Sequence, residues 1–135
     1  MTDFPITIFH NPACGTSRNT VAMVQAAGYR PQVIEYLQTG WSREQLDELL
    51  TAMNARPRDI LRDKGTPAAE LGLLDPTVSD EAILEAMIAH PILVNRPIVV
   101  TPRGVKLCRP SEAVLDLLDR RPDSFTKEDG ELVRL

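Results

Sequence analysis

The chain has 135 residues, 43% of them apolar and only 4% aromatic, which is enough to bury one domain's core built on Leu, Ile, Val, Ala and Met. Its net charge of −4 and lack of a basic block argue against nucleic acid as a partner, and no apolar stretch approaches a membrane span. Two cysteines far apart, Cys14 and Cys108, give no disulfide framework or paired-ligand metal site, and Met-Thr-Asp-Phe-Pro lacks a signal-peptide pattern, so the cytoplasm is the expected compartment.

Phe4 to Phe9 alternates as a strand, with Phe4, Ile6 and Ile8 on one side. The Asn11-Pro12 turn then leads through Cys14-Gly15-Thr16-Ser17 into a helix carrying Val21, Val24 and Ala27 on one face, stopped by Gly28. Gln32 to Tyr36 reads as a second strand. This β-turn-α-β opening puts a loop at the carboxyl end of a strand and the start of a helix.

The middle is helical. Ser42 and Gln45 make a capping-box pattern ahead of the stripe Leu46, Leu49, Leu50 and Met53. A short helical piece follows Pro57 with Ile60 and Leu61. Another helix runs from about Ser79 to His90, with Ile83, Ala86 and Met87 inward, and Pro91 ends it.

The last third reads differently. Pro97–Thr101 and Val105–Cys108 flank Pro102-Arg103-Gly104 as a hairpin, and a final helix from Pro110 buries Val114, Leu117 and Leu118. The order β-α-β, helical block, β-β-α predicts one α/β domain over 1–135. With the block removed, that order is the thioredoxin-like one, a mixed sheet with a helical insertion at about 40–90.

Cys14 is the leading candidate for chemistry. A cysteine between strand one and helix one lies near unpaired N–H groups and the positive end of the helix dipole, which favour the nucleophilic thiolate over the thiol. The competing reading, an inert small hydrophobe, sits poorly with Pro12, Gly15, Thr16 and Ser17 around it. Position 17 is Ser, so the Cys-x-x-Cys of a thioredoxin is missing. Position 20 is Thr, so the Cys-x5-Arg loop of tyrosine phosphatases is missing too. A monothiol enzyme without a neighbouring resolving cysteine needs an external thiol, and glutathione is the usual small one. Cys108 falls in a strand and reads as a packed core residue.

His10 ends strand one, four residues before Cys14, where an imidazolium would lower the thiol pKa. His90 reads as a helix C-terminal cap. The twelve arginines against three lysines are explained as readily by composition as by a need for rigid, forked donors suited to oxyanions. Three arginines stand out by place. Arg62 follows the short helical piece, Arg96 precedes Pro97 at the start of the hairpin, and Arg109 precedes the last helix. In a thioredoxin-like order the residue before the hairpin proline faces the cysteine, and that proline, here Pro97, is usually cis. Each of the three arginines can equally be read as a solvated surface residue. Arg18, Arg30, Arg43, Arg120 and Arg121 are assigned to solvated faces.

Longer strings carry a resemblance: His-Asn-Pro-Ala-Cys-Gly-Thr-Ser-Arg-Asn-Thr (10–20), His-Pro-Ile-Leu-Val-Asn-Arg-Pro-Ile-Val-Val-Thr-Pro (90–102), Leu-Cys-Arg-Pro-Ser-Glu (107–112) and Phe-Thr-Lys-Glu-Asp-Gly-Glu (125–131). With them the chain closely resembles the glutaredoxin-coupled arsenate reductases, from about Ile6 to Glu131. The resemblance implies that Cys14 attacks arsenate, that glutathione is the co-substrate, and that glutaredoxin clears the glutathione left on the cysteine. It further implies that Arg62, Arg96 and Arg109 hold the arsenic oxyanion and that His10 assists thiolate formation. Ser17 and Pro97 would be structural neighbours of the site. No bound cofactor and no metal are expected. Two other readings stay open: a redox-sensing regulator of the same fold that binds RNA polymerase, and a related monothiol reductase with another substrate. The regulators carry a Cys-x-x-Cys switch, which Ser17 breaks.

Overall fold

The computed structural model describes residues 4–122 and 124–134. Strand β1 (Thr7–His10) leads into helix α1 (Gly15–Ala26), strand β2 (Gln32–Glu35) and the short helix α2 (Tyr36–Thr39). Helices α3 (Arg43–Met53) and α4 (Asp80–Ala89) follow, then the hairpin β3 (Ile98–Thr101) and β4 (Gly104–Leu107), a 3-10 helix (Ser111–Leu117), and the strands β5 (Ser124–Thr126) and β6 (Leu132–Arg134). The chain divides into two compact units, one of residues 1–35 and 96–135, the other of residues 36–95.

The first unit holds a four-stranded sheet in the order β2-β1-β3-β4. β1 runs parallel to β2, with Ile8 opposite Val33, and antiparallel to β3, with Ile8 opposite Val99. β3 and β4 form the expected hairpin, with Gly104 taking φ 144 at the turn, a region that favours glycine. This is the thioredoxin-like mixed sheet. Ile6, Ile8, Met23, Val24, Val99, Val114 and Leu117 pack into one buried cluster between the sheet, α1 and the 3-10 helix, with Phe4 and Val21 against it. Cys108 belongs to the same cluster and has no exposed surface.

Three elements depart from the sequence expectation. The second strand ends at Glu35, and Tyr36 opens α2 instead of extending the strand. The last helix is a 3-10 helix, not an α-helix, and Pro110 precedes it. Its closures Ala113 N–H to Pro110 O and Leu118 N–H to Leu115 O are one residue short of the α spacing. A three-residue turn stacks Ser111, Val114 and Leu117 on one side, and all three are buried, so the tighter pitch suits this inward face. The hairpin β5–β6 has no counterpart in the sequence expectation, because strands of three residues are too short to show a period.

In the second unit, α3 carries the capping box at Ser42 and Gln45 and buries Leu46, Leu49 and Leu50. The piece after Pro57 is a 3-10 turn, Pro57–Ile60, and α4 starts at the Ser79 cap. Arg58 donates to the carbonyls of Leu73, Asp75 and Val78, organising a long connection that lacks regular structure. Tyr36 is fully buried, and its hydroxyl donates to the Val94 carbonyl at 2.8 Å.

Tyr36→Phe removes the donor from that buried carbonyl while leaving the ring in place. It should therefore destabilise the protein by about 1–2 kcal/mol. A urea-unfolding midpoint that falls with an unchanged m-value is the expected readout; an unmoved midpoint would show that the bond contributes nothing.

Candidate active site

The site is built on the β1–α1 loop. Asn11 Oδ1 accepts the Ala13 N–H at 2.9 Å, and the Asn11 carbonyl accepts the Cys14 N–H at 3.0 Å. These bonds are the Asx-type turn that Asn-Pro announces. They leave Cys14 as the N-cap of α1, with extended backbone (φ −99, ψ 122) and no side-chain cap bond. The thiol thus sits over the first turn of the helix, where N–H groups lack intrahelical partners. Cys14 is 8% exposed.

Ser17 is fully buried beneath this loop. Its hydroxyl accepts the Asn11 N–H at 3.1 Å and lies 2.5 Å from His10 Nδ1. Burial pushes the His10 pKa down; Glu35 opposes this and Arg18 adds to it. The ring is therefore mainly neutral at neutral pH, and its contact with the loop runs through the Ser17 hydroxyl. Ser17 reaches the sulfur by another route, its backbone N–H.

Two arginines from the far end of the sequence meet at the cysteine. Arg96 precedes β3, is 9% exposed, and hydrogen-bonds to the thiol sulfur. Arg109 follows β4, with Nη1 3.7 Å from Cys14 Sγ and donating to the Arg96 carbonyl at 2.9 Å. The Arg96–Pro97 and Arg109–Pro110 peptide bonds are both cis. Burial alone would push the Cys14 thiol up. The bonds from Arg96, the Ser17 N–H and Arg109, with the Arg96 charge, outweigh it and lower the pKa from 9.0 to about 7. About half of the sulfur is then thiolate at neutral pH. Cys108 is the reverse case: burial pushes its thiol up to about 12, and its neighbour is the Lys106 carbonyl at 3.7 Å.

The structure thus brings Cys14, His10, Ser17, Arg96 and Arg109 together, with Pro97 adjoining. Arg62 belongs to the second unit. There its N–H donates to the Leu93 carbonyl at 2.7 Å, and its guanidinium donates to the Lys64 carbonyl and to Asn95 Oδ1. Sequence reasoning missed the roles of Asn11 and Arg18. The Asn-Pro pair was a legible signal for Asn11. Arg18 is exposed as assigned, but it is ion-paired with Glu128 and donates to the Pro12 carbonyl at 2.7 Å. Nothing local in the sequence couples positions 18 and 128. Among the described residues, no cluster of three or more His, Cys, Asp or Glu could hold a metal ion.

A thioredoxin-like sheet presenting one activated thiol among guanidinium groups defines a monothiol protein suited to a compact anion. The profile of the ArsC family matches residues 9–117, and the chain belongs to that family. It is 60% identical over 134 residues to the arsenate reductase ArsI1 of Synechocystis, covering 98% of this chain and 93% of that one. It is 54% identical to an arsenate reductase of Escherichia coli, covering 95% and 92%. The solved arsenate reductase of Vibrio cholerae superposes with a TM-score of 0.81 at 40% identity, over 87% of this chain and all of that one.

Iodoacetamide labelling of Cys14 should rise with pH through a midpoint near 7, the value to which its neighbours bring it. Arg96→Ala or Arg109→Ala removes a group that stabilises thiolate, so each should move the midpoint upward. A wild-type rate that climbs only near the free-thiol value would overturn the activated-thiolate description.

Proposed function

We propose that this chain reduces arsenate to arsenite with electrons from glutathione, and that glutaredoxin completes the cycle. The observation that carries this reading is the approach of Arg109 Nη1 to within 3.7 Å of a Cys14 sulfur whose pKa is about 7. A nucleophile and a cation adapted to an oxyanion meet at one point. The names of the relatives supply the oxyanion.

In this reading the Cys14 thiolate attacks arsenic, forming an S–As bond as an arsenate oxygen leaves as water. Glutathione thiolate then forms a disulfide with Cys14. The S–As bond breaks, two electrons pass to arsenic, and As(V) becomes As(III). A glutaredoxin thiolate takes the glutathione by disulfide exchange, and Cys14 leaves as thiolate.

Arg96 and Arg109 hold charge on the arsenic oxygens beside the anionic sulfur. The family resemblance assigns the same role to Arg62. His10 contributes through Ser17, which keeps the cysteine loop closed. No bound cofactor or metal enters any step. The use of glutathione, a cytoplasmic reductant, supports the cytoplasm as the compartment of this reaction. Ser17 in place of a second cysteine disfavours a dithiol redox switch.

An arsenite-production assay with glutathione and glutaredoxin, added separately and together, tests this. Full turnover should need both, and Cys14→Ser should abolish it. Arg96→Lys keeps the charge and loses the fork, so kcat/KM for arsenate should fall about ten- to a hundredfold. Thioredoxin-supported turnover without glutathione would overturn the coupling, and unchanged kinetics in the Arg96→Lys variant would remove Arg96 from the site.

A further inference from the structure

The β5–β6 hairpin takes no part in the chemistry above, yet two residues of its turn reach the two segments that make the site. The Glu128 carboxylate accepts Arg18 Nη2 at 2.6 Å and Nε at 3.0 Å. The same guanidinium uses Nη1 on the Pro12 carbonyl, two residues before Cys14. The Glu128 N–H donates to Asn19 Oδ1 at 3.0 Å, which anchors the turn on α1. A methyl group on Gly15 would stand 3.0 Å from Glu128 Oε1, so the carboxylate lies directly against the residue after the cysteine. Next in the chain, Lys127 Nζ pairs with Glu112 Oε1 at 2.6 Å, with the two side chains only 12% and 28% exposed. Glu112 lies three residues after Arg109.

Adjacent residues of one turn therefore tether both the cysteine loop and the segment that carries Arg109. An ion pair as exposed as Arg18–Glu128 adds little stability, about 0–1 kcal/mol. A two-point fork nevertheless fixes orientation, and here it aims the third guanidinium nitrogen at a loop carbonyl. We propose that Lys127 and Glu128 form a positioning strap: Glu128 orients Arg18, Arg18 holds the Pro12 carbonyl, and Lys127 holds Glu112. Together they keep Cys14 and Arg109 in contact. The strap rests on Cys14 being the nucleophile of the proposed reaction.

The direction of the effect separates this from a simple charge role. The charged groups around the cysteine are Arg96 and Arg109 at the open end of the β3–β4 hairpin, Arg18 on α1, and His10 behind Ser17 with Glu35 beyond it. Removing the Glu128 carboxylate leaves Arg18 as an uncompensated cation. On charge alone that would stabilise the thiolate and speed alkylation. On the strap reading, the loop loosens and the sulfur loses part of its contact with Arg109 and the Ser17 N–H, so thiolate is destabilised.

The test measures the pH dependence of iodoacetamide labelling, together with arsenate kinetics and thermal melting, in wild type, Glu128→Ala, the gentler Glu128→Gln and Lys127→Met. The labelling midpoint should rise in all three variants, least in Glu128→Gln. Labelling below the wild-type midpoint should fall about three- to tenfold, since one unit of pKa is tenfold in thiolate. Where wild type turns over arsenate, kcat should fall in parallel. A midpoint that is unchanged or lowered in a folded variant overturns the strap, as does a lower melting temperature with unmoved labelling. If wild type fails to reduce arsenate while the midpoints still rise, the substrate reading fails and the strap stands.

Discussion

A buried cysteine whose thiol pKa is lowered to about 7 has too little water around its sulfur to bear the thiolate charge unaided. Compensation has to come from the protein, at hydrogen-bond distance. At Cys14 it comes from the Ser17 N–H at the start of α1 and from two guanidinium groups. Burial works against the thiolate, and only the sum of several short contacts outweighs it. Most of the architecture of the first unit can be read as the means of delivering those contacts together.

The sheet order shows how delivery works. β3 lies beside β1, antiparallel, so the start of β3 is brought alongside the end of β1. Arg96, just before β3, and Arg109, just after β4, then share one edge of the hairpin with the cysteine loop. The Arg109 bond to the Arg96 carbonyl ties the two arms to each other at 2.9 Å. Behind the loop, Ser17 and Asn11 close a small buried network in which His10 is a neutral partner. That network shapes the backbone, and the Ser17 N–H shares the charge balance with the two arginines. The second cysteine shows the same physics reversed: burial outweighs the opposing charge of Lys106, Asp116 adds to burial, and Cys108 stays a thiol.

Much of this was legible in the chain because the signals were local. Asn11-Pro12 announced the turn, Ser42 and Gln45 the start of α3, and the alternation around Ile6 and Ile8 the first strand; each rests on residues a few positions apart. What escaped was set by distant partners. Tyr36 left the strand pattern for a helix whose buried hydroxyl bonds to Val94, 58 positions away. The segment after Pro110 had the apolar spacing of an α-helix, but its inward face, Ser111, Val114 and Leu117, repeats every three residues.

At the site the division is sharper. The sequence by itself determined that one cysteine would stand at the start of a helix with no resolving partner nearby, since Cys14 and Ser17 are only three residues apart and helix geometry does the rest. Element order singled out Arg62, Arg96 and Arg109 among twelve arginines, but it could not establish contact, because each could equally have been a solvated surface residue. Strand pairing decided for Arg96 and Arg109, carrying Arg109 across 95 positions to within 3.7 Å of the sulfur. A carboxylate 110 positions away decided for Arg18, turning a surface arginine toward the cysteine loop. Electrostatic contact falls off over a few ångströms, and sequence separation does not measure that distance. The depressed pKa of Cys14 is accordingly a property of the folded chain.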